Sequence, residues 1–151
     1  MTSVDFHFNA PDRLSHACRL VRKAMRSRAA SDDKPLVVFC ADKAQLQAFD
    51  DLLYTFSDDD FLPHVHADHP LADEAPVILC SQLWTPPPPR VPHLLINLDA
   101  HVPDIFSQFD RVFEIVSLDE ADRQAARVRY AFYRDRGYPL TRYDLGQTQN
   151  G

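Results

Sequence analysis

The sequence predicts an α/β fold with helices packed on both sides of a mainly parallel sheet. Three short runs, 36–40, 76–80 and 93–98, are almost entirely apolar, as strands buried on both faces of a parallel sheet are. Segments with apolar residues at helical spacing alternate with these runs, and 13–28 and 119–136 are the clearest. Strands that alternate with amphipathic helices favour a layered α/β arrangement.

The ends of the predicted elements are marked by residues that begin or stop helices. Asp42 can cap the second helix through its side-chain oxygen, and Gly137 with Pro139 ends the last helix. The prolines at 86–89 cannot join a sheet ladder, which predicts an extended surface loop. In chain order, the sequence predicts a strand at 4–8, a helix at 13–28, a strand at 36–40, a helix from 42 to about 56, strands at 76–80 and 93–98, a short helix at 104–109, a strand at 111–116 and a helix at 119–136.

The length of 151 residues fits one compact domain, predicted at 1–145 and followed by a polar tail at 146–151 that frays. No apolar run approaches the ~20 residues that a membrane span requires, and the N-terminus lacks the pattern of a signal peptide. Cys18, Cys40 and Cys80 form an odd set among apolar neighbours, which predicts free buried thiols. These features predict a cytoplasmic protein.

Common active-site patterns are missing from the sequence. The chain has three glycines, all near the C-terminus, so neither glycine-rich phosphate-binding motif occurs. His64, His66, Asp68 and His69 lie close together, but we interpret them as a polar loop because their spacing matches metal sites poorly. The sequence therefore predicts no catalytic residue, no metal and no cofactor. The alternative is a small α/β enzyme, a hydrolase or a nuclease, with an unrecognised active site.

One side of the last predicted helix carries a row of basic residues. Arg123, Arg127, Tyr130 and Arg134 follow one another at spacings of four, three and four, which places them on one face. Guanidinium groups bind carboxylates through two parallel hydrogen bonds, and a tyrosine ring adds an apolar wall. The pattern favours an acidic, partly apolar ligand. The alternative is a solvated face balanced by the acids Asp119, Glu120, Asp122 and Asp135.

The net charge of −6 argues against direct contact between this protein and DNA. Binding of single-stranded DNA needs a wide basic groove with several stacking aromatic rings. We therefore expect contact with DNA to be indirect, and direct binding of single-stranded DNA by the same arginines is the alternative.

A second candidate surface lies at the end of the second predicted helix. Tyr54 is in its last turn, and Phe61 follows after a break, just before Pro63. An aromatic residue presented by a proline-fixed turn is typical of a partner interface. The alternative is that Phe61 holds the loop against the core.

Six segments in a fixed order carry a resemblance to a known family. They are Phe6-His7-Phe8, Leu52-Leu53-Tyr54, Phe61-Leu62-Pro63-His64, the stretches 94–98 and 109–116, and 123–134 with Gly137-Tyr138 after it. In these segments the chain resembles the chi subunit of bacterial DNA polymerase III over nearly its whole length. The resemblance implies a Rossmann-like three-layer fold without a nucleotide-binding loop and a non-catalytic role in DNA replication.

The resemblance also implies a peptide partner for the basic helix. That partner is the acidic, phenylalanine-terminated C-terminal tail of single-stranded DNA-binding protein (SSB). Arg127 would bind the terminal carboxylate of the tail, and Arg123 and Arg134 would pair with its aspartates. Val116 and Tyr130 would form the walls of a pocket for its last aromatic ring.

A second implied partner is the psi subunit, which tethers chi to the clamp loader. Tyr54 and Phe61 would contact psi or an accessory DNA helicase that competes with it. The histidine-rich loop at 64–69 and the proline run at 86–89 depart from the family pattern.

Overall fold

A computed structural model describes residues 2–27, 35–55, 64–67, 75–82 and 93–148. Its first elements alternate between strands and helices, as the sequence predicts, and three strands then follow one another among the described residues. In chain order they are β1 (Ser3–Ala10), α1 (Arg13–Arg26), β2 (Leu36–Phe39), α2 (Lys43–Thr55), β3 (His64–His66), β4 (Val77–Cys80), β5 (Leu94–Asn97), a 3-10 helix (Asp104–Gln108), β6 (Arg111–Ser117), α3 (Glu120–Asp135), β7 (Leu140–Asp144) and α4 (Leu145–Thr148).

The strands form one sheet in the order β3-β4-β2-β5-β6-β1-β7, and every pairing in it is parallel. One apolar cluster joins the sheet to α1 and α2, and a second joins its other face to α3 and the 3-10 helix. The predicted three-layer α/β fold around a parallel sheet is therefore confirmed. Crossovers between parallel strands place helices on both faces, which explains why the central strands are wholly apolar.

Strand β6 shows how the two layers of core are divided. Val112 and Val116 belong to the cluster on the α3 side, whereas Phe113 and Ile115 belong to the cluster on the α1 side. This alternation follows from the two-residue repeat of a strand. Glu114 lies between Val112 and Val116 on the α3 side of the sheet, and it is fully buried.

Side-chain caps begin the helices where the sequence predicts them. The Asp42 carboxylate accepts hydrogen bonds from the backbone N–H groups of Ala44 and Gln45, at 2.9 and 3.3 Å. These bonds satisfy donors that the first turn of α2 leaves open. Gly137 lies just beyond the C-terminal end of α3 and has a φ of 79°, a left-handed conformation that a residue with a Cβ rarely adopts. The predicted stop at this glycine is confirmed.

The interpretation of the histidine cluster as a polar loop was wrong for His64 and His66. Both lie in the edge strand β3, and their Nε2 atoms lie 2.7 and 3.0 Å from the two carboxylate oxygens of Asp50 on α2. β3 has only three residues, and they do not form an apolar run. The strand therefore has no clear signal in the sequence. Asp68 and His69 lie outside the described residues, as does the proline run at 86–89.

Strand β7 and the short helix α4 are also absent from the sequence prediction. Most of β7 is exposed, because this strand lies at an edge of the sheet. None of the helices in the described part of the chain has the length and apolar character that a membrane span requires.

The predicted free, buried thiols are confirmed at Cys18, Cys40 and Cys80. Burial raises the pKa of Cys18 and of Cys80 to about 12. The thiolate is the reactive form, so these side chains act as small apolar groups in the core.

A cleft of about 550 Å³ lies on the α1 side of the sheet. At its wall, the His16 Nε2 atom lies 3.2 Å from the His7 Nδ1 atom. Burial lowers the pKa of His7, and burial, with the neighbouring His7 and Arg19 as smaller causes, lowers the pKa of His16 from 6.5 to about 4. Both imidazoles are therefore neutral in the folded protein at neutral pH.

These lowered pKa values predict a loss of stability in acid. Between 6.5 and about 4 the unfolded chain binds a proton at residue 16 that the folded chain does not bind. The free energy of unfolding should therefore fall as the pH decreases through this window and be fully retained above it. Urea unfolding at several pH values gives the free energy of unfolding as a function of pH. The slope of this free energy against pH should be shallower for His16→Gln than for the unaltered protein. The control is His101→Gln, at an exposed position, and equal slopes for the two variants would contradict the prediction.

Candidate functional site

Helix α3 carries four arginines, and a fifth, Arg136, follows directly after it. The structure divides these side chains into two groups. The first group is Arg129, which is buried, and Arg136, which is exposed but lies over the Phe132 ring. The second group is Arg123, Arg127 and Arg134, which are all exposed.

The buried member of the first group is Arg129, which is 2% exposed. Its Nε atom donates a hydrogen bond of 2.9 Å to one carboxylate oxygen of Glu114, and an Nη atom donates one of 3.0 Å to the Ala100 carbonyl. The other Glu114 oxygen accepts hydrogen bonds from the Tyr133 hydroxyl at 2.8 Å and from the Asn97 amide at 2.9 Å. We call these five residues the Glu114 network.

The Glu114 network attaches α3 to the middle of the sheet. Burial raises the pKa of the Glu114 carboxyl, and the Arg129 guanidinium acts in the opposite sense, as do the hydrogen bonds from Asn97 and Tyr133. Buried charges are tolerated when they are paired and hydrogen-bonded, and removal of one partner leaves the other uncompensated. Because guanidinium hydrogen bonds are directional, the pair also restricts the rotation of α3 about its axis.

Arg136 fills a structural role at the end of α3. Its guanidinium lies 3.6 Å from the centroid of the Phe132 ring, and it donates a hydrogen bond to the Phe132 carbonyl. Phe132 in turn packs edge-on against Phe106 of the 3-10 helix. This side of α3 therefore faces the 3-10 helix.

The predicted row of Arg123, Arg127, Tyr130 and Arg134 lies along one side of α3. At 100° per residue, the four positions span about 60° of the helix circumference. The three arginines are exposed and Tyr130 is half-buried between them. The Tyr130 ring meets the ring of Phe6 on β1 edge-on, with 5.2 Å between centroids. The row therefore lies on the side of α3 that faces β1.

Two of the four acids expected to balance the row are occupied elsewhere. The Asp119 carboxylate accepts a hydrogen bond from the Asp122 backbone N–H at 3.2 Å. The Asp122 carboxylate accepts one from the Ser117 backbone N–H at 2.7 Å. Both carboxylates satisfy open donors around the N-terminus of the helix, where negative charge is favourable.

The other two acids form exposed ion pairs with the row. Glu120 lies 3.6 Å from Arg127, and Asp135 lies 3.2 Å from Arg134. All four side chains are more than half exposed. Ion pairs between exposed side chains contribute little stability, so a carboxylate of a ligand can replace either acid at small cost.

Val116 is the least accessible of the predicted site residues, at 5% exposure. It packs in the same apolar cluster as Ala126 of α3. The nearby Leu118, in the turn before α3, is 57% exposed, and nothing in the sequence singled it out. Val116 therefore offers little accessible surface, and Leu118 supplies the exposed apolar side chain at the start of the helix.

An apolar residue of an amphipathic helix is expected to pack against the core, and this expectation is wrong for Val128, which is 73% exposed. Its neighbour Arg129 occupies the buried position instead. The signal that could have revealed this is Glu114, a carboxylate within the otherwise apolar run 112–116. A charge in a strand buried on both faces requires a buried partner.

The second candidate surface is described only in part. Tyr54 lies in the last turn of α2 and is 68% exposed, which is unusual for a large aromatic side chain. Phe61 lies outside the described residues. Tyr54 is on the side of the molecule that carries α1 and α2, so it is separated from the α3 row by the sheet.

None of the predicted site residues that the structure describes lines the cleft on the α1 side. Within the described ranges, no group of three or more His, Cys, Asp or Glu residues is placed to hold a metal ion. His64, His66 and Asp50 satisfy one another through hydrogen bonds.

The fold and the helix together define a Rossmann-like α/β module that presents a basic helix face. A family model described as DNA polymerase III chi subunit, HolC, matches residues 1–141. The chain is 39% identical over 149 residues to the DNA polymerase III subunit chi of Pseudomonas aeruginosa, covering 96% of this chain and 98% of that protein. It is 28% identical over 130 residues to the subunit of the same name from Haemophilus influenzae, covering 86% and 85%.

The chain therefore belongs to the DNA polymerase III chi subunit family. It is an accessory, non-catalytic subunit of the replicative polymerase complex. The family resemblance seen in the sequence and the expectation of a non-enzymatic role are both confirmed.

Mutation of the buried Arg129 and of the exposed Arg127 should affect the free energy of unfolding to very different extents. Arg129→Ala leaves the buried Glu114 carboxylate without its partner and should lower the free energy of unfolding by about 3–5 kcal/mol. Arg127→Ala, in the same helix, should change it by no more than about 0.5 kcal/mol. Urea unfolding followed by circular dichroism measures both.

A milder variant covers the case in which Arg129→Ala does not fold. Tyr133→Phe removes only the hydroxyl that donates to Glu114 and should cost about 1 kcal/mol. Equal stability of the Arg127 and Arg129 variants would contradict the structural role of the Glu114 network.

Proposed function

We propose that this chain links the clamp loader to SSB-coated DNA by binding the C-terminal tail of SSB and the psi subunit. The observation that carries the proposal is the exposed row of Arg123, Arg127 and Arg134 around the half-buried ring of Tyr130. The family resemblance supplies the identity of both partners.

The size of the row suits a short extended peptide. Arg123 and Arg134 are eleven positions apart in α3, which corresponds to about 16 Å along the helix axis. An extended chain covers that distance with about five residues. A short acidic tail of this length could contact each arginine in turn.

Each side chain of the row has a role that follows from its chemistry. Arg127 lies at the centre and binds the terminal carboxylate with two parallel hydrogen bonds. Arg123 and Arg134 pair with aspartates on either side. Tyr130 packs against the last aromatic ring of the tail, together with apolar surface near Val116.

The contact should be moderate in affinity and sensitive to salt. A disordered tail loses conformational freedom when it binds, which offsets part of the interaction. The charge pairs are exposed, so added salt screens them. Such a contact suits an adaptor that must release and rebind SSB as replication proceeds.

A fluorescent peptide that copies an SSB tail tests the proposal directly. Fluorescence anisotropy should show binding that weakens about tenfold or more in Arg127→Ala, because the terminal carboxylate loses its partner. The matched control is Arg26→Ala, which removes one exposed arginine from α1 on the other face of the sheet. Thermal unfolding of both variants should match that of the unaltered protein.

Two results would argue against tail binding. One is the absence of binding by the folded protein at low salt. The other is equal loss of binding in Arg26→Ala and Arg127→Ala, which would reflect net charge rather than a site. A gel shift with a bare oligonucleotide covers direct DNA binding, and a shift that Arg127→Ala abolishes would favour that alternative.

The psi subunit is proposed to bind at the end of α2. The exposed ring of Tyr54 supports this, since tyrosine is enriched among the residues that dominate protein interfaces. Phe61 is proposed to belong to the same surface on the family resemblance alone. An accessory DNA helicase would compete with psi there, because both would need the same aromatic residues.

Tyr54→Ala should therefore weaken binding of a psi subunit by at least about tenfold while tail binding is retained. Isothermal titration calorimetry measures this effect when psi is prepared separately and titrated into each variant. Val128→Ala is the control, because it removes an exposed apolar side chain from α3 instead. Unchanged psi affinity in Tyr54→Ala would place the psi interface elsewhere.

A further inference from the structure

The exposed row of α3 faces an edge strand whose contribution the family resemblance does not include. We infer that β7 forms the second side of the SSB tail site and that Arg142 on this strand is a further contact for an aspartate of the tail. The inference rests on the proposed function, and it adds a residue that lies outside α3.

The register of the sheet places Arg142 next to the row. Arg142 on β7 is the partner of Phe6 on β1, and the Phe6 ring is the one that Tyr130 touches at 5.2 Å. Neighbouring strands are about 4.8 Å apart, so Arg142 lies one strand beyond Phe6, the residue that Tyr130 contacts.

The side chain of Arg142 is on the α3 side of the sheet. Residues paired across neighbouring strands project to the same side, and Phe6 belongs to the cluster that packs against α3. The next residue, Tyr143, stacks on His7 with 4.9 Å between centroids, and His7 contacts α1 through His16. Because successive residues of a strand point to opposite sides, both observations give Arg142 the same direction.

Half-buried apolar residues lie on β1 and β7 near Arg142. Phe8 on β1 and Leu140 on β7 both pack against the cluster on the α3 side and keep part of their surface exposed. An extended peptide lying there would have arginines on one side, Arg142 on the other and apolar contacts beneath it. We call this surface the tail groove.

The charges around Arg142 favour an acidic occupant. Arg142 is exposed, and within the described part of the chain no acidic side chain forms an ion pair with it. Asp144 is the acid on the same side of β7, and its carboxylate accepts hydrogen bonds from the Asn9 side chain and the Gly146 N–H, each 2.9 Å long. Glu120 and Asp135 balance Arg127 and Arg134 only through exposed ion pairs, so a tail with several carboxylates can meet these two arginines together with Arg123 and Arg142.

The test moves the positive charge without changing the total. Arg142→Thr removes it, and the double variant Thr141→Arg/Arg142→Thr places it on the opposite side of the same strand. Threonine is favourable in a strand, so neither change should disturb β7. Affinity for the SSB tail peptide is measured by anisotropy at low and moderate salt, with thermal unfolding as the folding check.

If the groove is correct, both variants should bind the peptide about threefold to fivefold more weakly than the unaltered protein, as expected for one exposed charge pair. Changing single aspartates of the peptide to asparagine should identify the one that pairs with Arg142. At that position, the change should cost less affinity for Arg142→Thr than for the unaltered protein. Arg26→Ala should retain full affinity.

The inference is overturned if Arg142→Thr binds as well as the unaltered protein while Arg127→Ala does not, and the proposed function then stands without it. It is also overturned if the double variant regains full affinity, because net charge would then explain the effect. Absence of tail binding by the unaltered, folded protein would remove both the inference and the proposed function.

Discussion

The buried ion pair between Glu114 and Arg129 is the constraint on which the rest of the α3 layer depends. Both groups are almost completely removed from water, so every oxygen of the carboxylate must find a donor. Tyr133 and Asn97 supply the remaining donors, one from the same helix and one from the neighbouring strand β5. A helix held by such a directional pair has one rotation about its axis in which all these bonds form together.

That rotation determines which residues of α3 face solvent. Arg129 and Tyr133 point into the sheet, so positions 123, 127 and 134 must lie on the side next to β1. A helix anchored by apolar contacts alone can slide or turn more easily, because such contacts are not directional. The exposed row is therefore a consequence of the buried pair, although no residue of the row takes part in it.

The division of the arginines could not be read from α3 itself. Arg127 and Arg129 are two positions apart and chemically identical, and only the partner on β6 separates their roles. Val128 is the apolar neighbour of Arg129, but Arg129 takes the buried position because the buried Glu114 carboxylate, fifteen residues before it, requires a charged partner. The charge within the apolar run 112–116 was the available signal, and it points to a partner without saying which one.

The central strands were predictable because crossovers bury both of their faces, which leaves an apolar run in the sequence. The edge strands β3 and β7 were not, because these edge strands carry polar residues, such as His64 and Arg142, in place of an apolar run. The helix caps at Asp42 and the stop at Gly137 were predictable, since local geometry alone determines them. Features that depend on how the strands pair across the sheet, such as the contact between Tyr130 and Phe6, could be identified only from the structure.

The residues that anchor α3 are thus different from the arginines that it exposes, and this separation has a consequence for how the surface can change. The Glu114 network cannot lose a member without leaving a buried polar group unsatisfied, so substitutions there act on the whole domain. The exposed arginines contribute little to folding, and their substitution acts mainly on what the surface binds. The edge strand β7 belongs to the second class at Arg142, where the side chain is exposed and the backbone pairs with β1 whatever the residue. If the tail groove binds an acidic peptide as proposed, the charge at position 142 could change while α3 stays fixed, and β7 would be a place where specificity for a particular acidic tail is tuned at little cost in stability.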